Sequence, residues 1–178
     1  GAPARLYTTA RTVVTARAED LPARWRHDTA SLDETRLSST LQVQEAVRSI
    51  NSLAEQIAQV NQAIVQSQGT GRSPNDLLDQ RDQLVSELNQ YVQTSTVPAA
   101  DGSLTVFVGG SQPLVLGTRV SPMAAERNPV DGDKIDIKIY QAGQAAEINA
   151  DFLGGGSLKG LVRFVNEDLP ESYNMLGR

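Results

Sequence analysis

Four groups of residues have the types and spacing from which chemistry could be built. Asp76, Asp79 and Asp82 recur every third residue, which places three carboxylates on one side of a helix, where a cation could sit. Asp131, Asp133 and Asp136 begin in the manner of a calcium loop. Gly154 to Gly160 puts a glycine turn ahead of a helical pattern, and free backbone donors at a helix start bind phosphate. His27 is the single histidine, so any Ser/His/Asp relay would have to use it.

Each group fails on a stated requirement. The aspartates at 76, 79 and 82 have no histidine or second carboxylate cluster of suitable spacing, so they are read as a solvated face and as partners for the positive end of the helix dipole. A calcium loop of the EF-hand type needs Glu at its twelfth position, where Ala142 stands, so a polar hairpin turn is expected instead. A Walker A loop needs Gly-Lys followed by Ser or Thr, whereas here Ser157 precedes Lys159, so the glycines are taken as a flexible domain junction. His27 lies in the polar run Arg24-Trp25-Arg26-His27-Asp28, and no Gly-x-Ser-x-Gly nucleophile motif is present. Trp25 is expected to anchor a helix end against a bundle. The expectation is therefore no catalytic, cofactor-binding or metal-binding residue, no cofactor, and no enzyme activity.

Bulk composition narrows the partners. A net charge of -5 over 178 residues supplies no basic face for phosphate, so no nucleic-acid partner is expected. Cysteine is absent, which removes disulfides, thiol catalysis and thiolate metal sites. Aromatic residues make up 4% of the chain, too few for stacking platforms, and no apolar run is long enough for membrane insertion. The opening Gly1-Ala2-Pro3-Ala4-Arg5 has neither a starting Met nor a signal-like pattern, and the chain is expected to be a fragment.

The elements that must position these residues follow from periodicity. Val43, Val47, Ile50, Ala54, Ile57, Asn61 and Ile64 alternate spacings of four and three, the a/d seam of a heptad repeat, and Leu53 and Val60 widen it. Asn61 is the one polar residue in that row and is expected to be a buried, register-fixing residue, not a ligand. A loop at Ser67-Gln68-Gly69-Thr70-Gly71-Arg72 then turns the chain. Ser73 and Asp76 match a capping box with Pro74 at the first helical position. Leu77, Leu78, Leu84, Val85, Leu88, Tyr91 and Val92 form the facing stripe, which Arg81 interrupts with its head expected toward Asp76, Asp79 and Asp82. Upstream, Leu6, Ala10, Val13, Val14 and Arg17 suggest a separate helix, with a break at Glu19-Asp20-Leu21-Pro22 and a second capping pattern at Ser31-Leu32-Asp33-Glu34. The long helix begins near residue 31, or runs unbroken from 22 to 68.

After Val92 the period drops to two. Leu104–Val108 and Pro113–Leu116 are short strands between turns, and Ile135, Ile137 and Ile139 alternate with Lys134, Asp136, Lys138 and Tyr140. Gln144 to Ile148 is placed to pair with that strand across Ala142-Gly143. Helical spacing returns at Leu158, Leu161, Val165, Leu169 and Leu176, with Pro170 kinking or restarting the helix. The expected fold class is α+β: an antiparallel long-helix bundle or coiled-coil domain with an inserted small antiparallel β domain. The expected divisions are a helical bundle over 1–93 (helices at about 3–18, 31–68 and 74–93), a β domain over 94–152 and a return helix over 153–178.

The run from Ile50 to Ile64, followed by Pro74-Asn75-Asp76-Leu77-Leu78-Asp79-Gln80-Arg81-Asp82-Gln83-Leu84-Val85-Ser86-Glu87-Leu88, resembles the middle segment of the flagellar hook-associated protein 1 (FlgK) family. The stretches from Val108 to Val115, from Leu158 to Leu161 and from Asn174 to Arg178 are similar to its β-hairpin and its return to the helical domain. The resemblance implies a secreted structural axial protein of the bacterial flagellum at the hook-filament junction. It implies neighbouring axial subunits as partners (hook protein, a second junction protein and copies of itself) and an export chaperone bound through regions outside this chain. Without the family's terminal polymerisation segments, this piece is expected to be monomeric. The alternative reading is a secreted coiled-coil adhesin or binding module presenting its β domain to a receptor.

Overall fold

The computed structural model describes the backbone of residues 2–177 and the side chains of residues 21–177. Two helices form its frame, α1 (Ala2–Gly69) and α2 (Asn75–Tyr91). At 1.5 Å per residue α1 is about 100 Å long. It carries no break at Glu19–Pro22 and no new start at Ser31, which corrects the division into helices at 3–18 and 31–68. Pro22 removes one backbone bond and leaves those of the turns on either side in place, so it need not end a helix. The expected packing residues between Leu6 and Arg17 lie outside the described side chains.

The seam forms as its spacing predicts. Val43, Val47, Ile50, Ala54, Ile57 and Ile64 are buried, as are Leu53 and Val60 beside them. Leu84, Leu88 and Val92 of the second stripe are buried too, with Leu77, Leu78, Val85 and Tyr91 packed at its margin. Each fully buried aliphatic side chain stabilises by about 1.5–3 kcal/mol, so this seam outweighs any helix propensity. In the connecting turn the amides of Thr70 and Arg72 both donate to the Ser67 carbonyl. The capping box does not form: Pro74 itself occupies the N-cap, its carbonyl accepting from Leu78 N at 2.9 Å, and no side chain caps α2. Ser73 is thereby one residue too early to reach the free amides.

The β region is two sheets where one was expected. β1 (Ser95–Pro98), β2 (Leu104–Val108), β3 (Gln112–Leu116) and β4 (Arg119–Val120) form an antiparallel meander in chain order. β5 (Met123–Arg127), β6 (Ile135–Gln141) and β7 (Gln144–Ile148) form a second. Pro122 lies between them and has no donor with which to carry the first ladder onward. On β6 the alternation holds, with Ile135, Ile137 and Ile139 buried and Asp136, Lys138 and Tyr140 partly exposed. Ala142 (φ 50°) and Gly143 (φ 80°) make the two-residue turn into β7.

A 3-10 turn (Ala150–Leu153) leads back to α3 (Ser157–Arg163), a π turn (Phe164–Asp168) and α4 (Leu169–Leu176). The π turn stands just ahead of Pro170, which falls in the first turn of α4. Leu158, Val162, Val165 and Leu169 bury the inner face of this return. The glycine junction is closely bonded. Gln93 N donates to the Leu153 carbonyl and Gly155 N to Gln93 Oε1, both at 3.1 Å. Gly156 sits at φ +115°, where a Cβ would come within 2.7 Å of the Tyr91 carbonyl.

Candidate functional site

The polar groups most deeply built into this chain lie where helices meet sheets, and they are structural. Asn61 is fully buried at its seam position. Its Nδ2 donates to the carbonyls of Leu104 and Gly117, both at 2.9 Å, and its Oδ1 accepts from Leu104 N at 3.0 Å and Arg81 Nη1 at 2.9 Å. Every hydrogen-bonding valence of the amide is engaged, which offsets the cost of burying it. Asn61 therefore sets the geometry between α1 and α2 through Arg81, and it also ties the rod to the first sheet.

Arg81 departs from expectation further. It is 8% exposed, and its Nη1 also donates to the Gly102 carbonyl at 2.8 Å, so its head points into the junction and away from Asp76, Asp79 and Asp82. Burial pushes its guanidinium below the ordinary arginine range, with Asp82 acting in the opposite sense, and Nε has no partner. The Gly102 carbonyl and the Asn61 side-chain oxygen thus solvate a charge that no carboxylate among the described residues bonds. The three aspartates instead stay exposed, Asp76 in the first turn of α2 where the dipole favours it.

Two further helix asparagines repeat the Asn61 arrangement. Asn51 accepts from Met123 N and donates to the Met123 carbonyl, both at 2.8 Å. Asn166 accepts from Ile135 N at 2.8 Å and donates to the Ile135 carbonyl at 2.9 Å. Neither residue stood out in the sequence; an asparagine on a helix carries no local sign that its partner is a strand 31 or 72 residues away.

A polar cluster on the outside joins three elements. Arg36 Nη1 pairs with Asp133 Oδ1 at 2.9 Å and its guanidinium lies 4.4 Å from the centre of the Tyr173 ring. The Tyr173 hydroxyl donates to Asp33. Burial and then that hydrogen bond push the Tyr173 phenol up to about 12, against the pull of Arg36. On the second sheet the Tyr140 hydroxyl and Lys138 ammonium both hold the Glu126 carboxylate, and both bonds lower its pKa.

The other sequence candidates are dispersed. Asp131 accepts from Asp133 N, Asp133 faces Arg36 and Asp136 accepts from Asn128, so the three carboxylates serve separate partners. Among the described residues no three His, Asp or Glu side chains converge as a metal would require. His27 is exposed, and so is Trp25 at 53%, which corrects its expected role as an anchor in the bundle. Among the described residues no helix is long and apolar enough to cross a membrane.

Residues 5–178 match the family described as the flagellar hook-associated protein FlgK helical domain. The chain is similar to flagellar hook-associated protein 1 of Salmonella typhimurium, 33% identical over 172 residues, covering 95% of this chain and 31% of the relative. That of Escherichia coli K12 gives 33% over 173 residues with the same coverages, and that of Bacillus subtilis 26% over 169 residues, covering 86% and 33%. The chain thus spans about a third of the length of these relatives. Among solved structures it is similar to the flagellar hook junction protein FlgK from Burkholderia pseudomallei, with a TM-score of 0.74 and 34% identity over 83% of this chain and 27% of that one.

Proposed function

The chain belongs to the flagellar hook-associated protein FlgK family, and on that premise we propose that it forms the helical rod and adjoining sheets of a structural subunit at the junction of hook and filament. The observation that carries this reading is the family match along residues 5–178, because it spans the rod, both sheets and the returning helices together. The asparagines at the joints support it: Asn51, Asn61 and Asn166 each hold a helical element to a strand, as suits a part whose work is done by shape. In this reading the protein acts outside the cell in the flagellum. Its partners are the hook protein, a second junction protein and further copies of itself, with an export chaperone bound through other regions of the full-length protein. The helical bundle over 1–93 and the return over 153–178 form the shaft, and the β region over 94–152 faces neighbouring subunits.

The test is genetic. The full-length gene in its own organism is replaced by one lacking the segment matching residues 5–178, and cells are scored by microscopy for filaments and by immunoblot for filament protein in the medium. Bare hooks with filament subunits lost to the medium, while the shortened protein is still exported, are expected. Filaments of normal number and length would refute the proposal.

A further inference from the structure

The three asparagine contacts fall at the same place in their strands. Leu104, Met123 and Ile135 are the first residues of β2, β5 and β6, and at each one the asparagine takes both the N–H and the C=O of the same residue. A side-chain amide that accepts and donates in this way occupies the place of a strand residue.

The registers show which places are filled. Val106 pairs with Val115, so Leu104 and Gly117 are the residues that would continue the β2–β3 ladder, and Asn61 is inserted between them, bonding both. Ile137 pairs with Ile148, the last residue of β7, and Asn166 takes over at Ile135, where β7 has run out. Asn51 pairs with Met123 at the start of edge strand β5. Two of the three stand on α1 and one on the returning π turn, and between them they engage both sheets.

We propose that Asn51, Asn61 and Asn166 are clamps that extend the two sheets onto the helices, making rod and β region one rigid body with a set angle between them, and that Gly154 to Gly156 is no hinge. A joint made only of apolar contacts could slide, because dispersion and hydrophobic burial are non-directional. Paired hydrogen bonds at three separated strand starts fix direction as well as distance.

Because the chain has no cysteine, spin labels can be placed singly. Cysteines at exposed Glu55 and Glu147 report the second sheet against the rod by pulsed electron spin resonance, and cysteines at exposed Gln59 and Arg119 report the first. The expected parent result is one narrow distance distribution for each pair. Asn51→Asp, Asn166→Asp and Asn61→Asp each keep the shape and the acceptor but lose the donor to the strand carbonyl. Each should widen the distribution for its own sheet and speed hydrogen exchange at Met123, Ile135 or Leu104 respectively by about 5- to 30-fold, the ratio expected for losing one or two kcal/mol of closure. A broad distribution in the parent overturns the proposal without any variant. So do unchanged widths in folded Asn51→Asp and Asn166→Asp proteins.

Discussion

Asn61 Oδ1 receives Arg81 Nη1 at 2.9 Å, joining the two helices of the hairpin through one amide that also bonds Leu104 at the start of β2. Removing either residue leaves the other in the core, but the consequences differ. Asn61→Leu strands the Leu104 amide and carbonyl, the Gly117 carbonyl and part of a buried charge, and should cost about 3–5 kcal/mol. Arg81→Met fills the space of the stem and removes the charge, leaving Asn61 its strand partners, and should cost no more than about 1–2 kcal/mol. Urea denaturation measures both; an Arg81→Met loss equal to or above that of Asn61→Leu would contradict the assignment.

The glycine junction offers a paired comparison. Gly156→Ala places a Cβ against the Tyr91 carbonyl at a φ of +115°, whereas Gly155 has open space around it. Gly156→Ala is expected to lower stability by at least about 1–3 kcal/mol and Gly155→Ala to change it by less than about 0.5 kcal/mol. Similar melting temperatures for the two variants would show that the junction is not close-packed.

At the β6–β7 turn, Ala142 holds a positive φ of 50° ahead of Gly143. An Asn-Gly pair suits that geometry best, so Ala142→Asn should stabilise the protein by about 0.5–1 kcal/mol. A fall in the denaturation midpoint would mean the turn is of another kind.

Tyr173 predicts an alkaline transition. Its phenol is raised from 10.0 to about 12, first by burial and then by its bond to Asp33. A pKa raised in the folded state means the neutral form is the stabilised one. Its contribution is fully present below the ordinary value of 10.0 and is lost as pH climbs toward about 12. Phenolate absorbance on titration should show a tyrosine ionising near that upper value, and Tyr173→Phe should remove it. A Tyr173→Phe protein with an unchanged titration curve would place the shift elsewhere.

The chain on its own is expected to be a monomer of 19.1 kDa at every concentration tested by light scattering. A mass that climbs with concentration into long assemblies would contradict this.

The heptad row from Val43 to Ile64, the alternation at Ile135, Ile137 and Ile139, and the return of helical spacing at Leu158 were all legible in the chain, because each is a local period that burial must respect whatever surrounds it. Asn61 even declared itself by its place in an apolar row. What the period could not say was which groups would satisfy it, because Leu104 and Gly117 lie 43 and 56 residues away and no rule of spacing reaches that far. The same holds for Arg81, which bonds Asn61 and the Gly102 carbonyl in the turn between β1 and β2 in place of its nearby aspartates. Local geometry also pointed to a break at Pro22 that a continuous α1 overrides, and to one sheet where Pro122 divides two. Sequence alone determined the rods, the strands and their inward faces. Tertiary structure decided the polar joints between them, because a buried donor must find its acceptor in space and not along the chain.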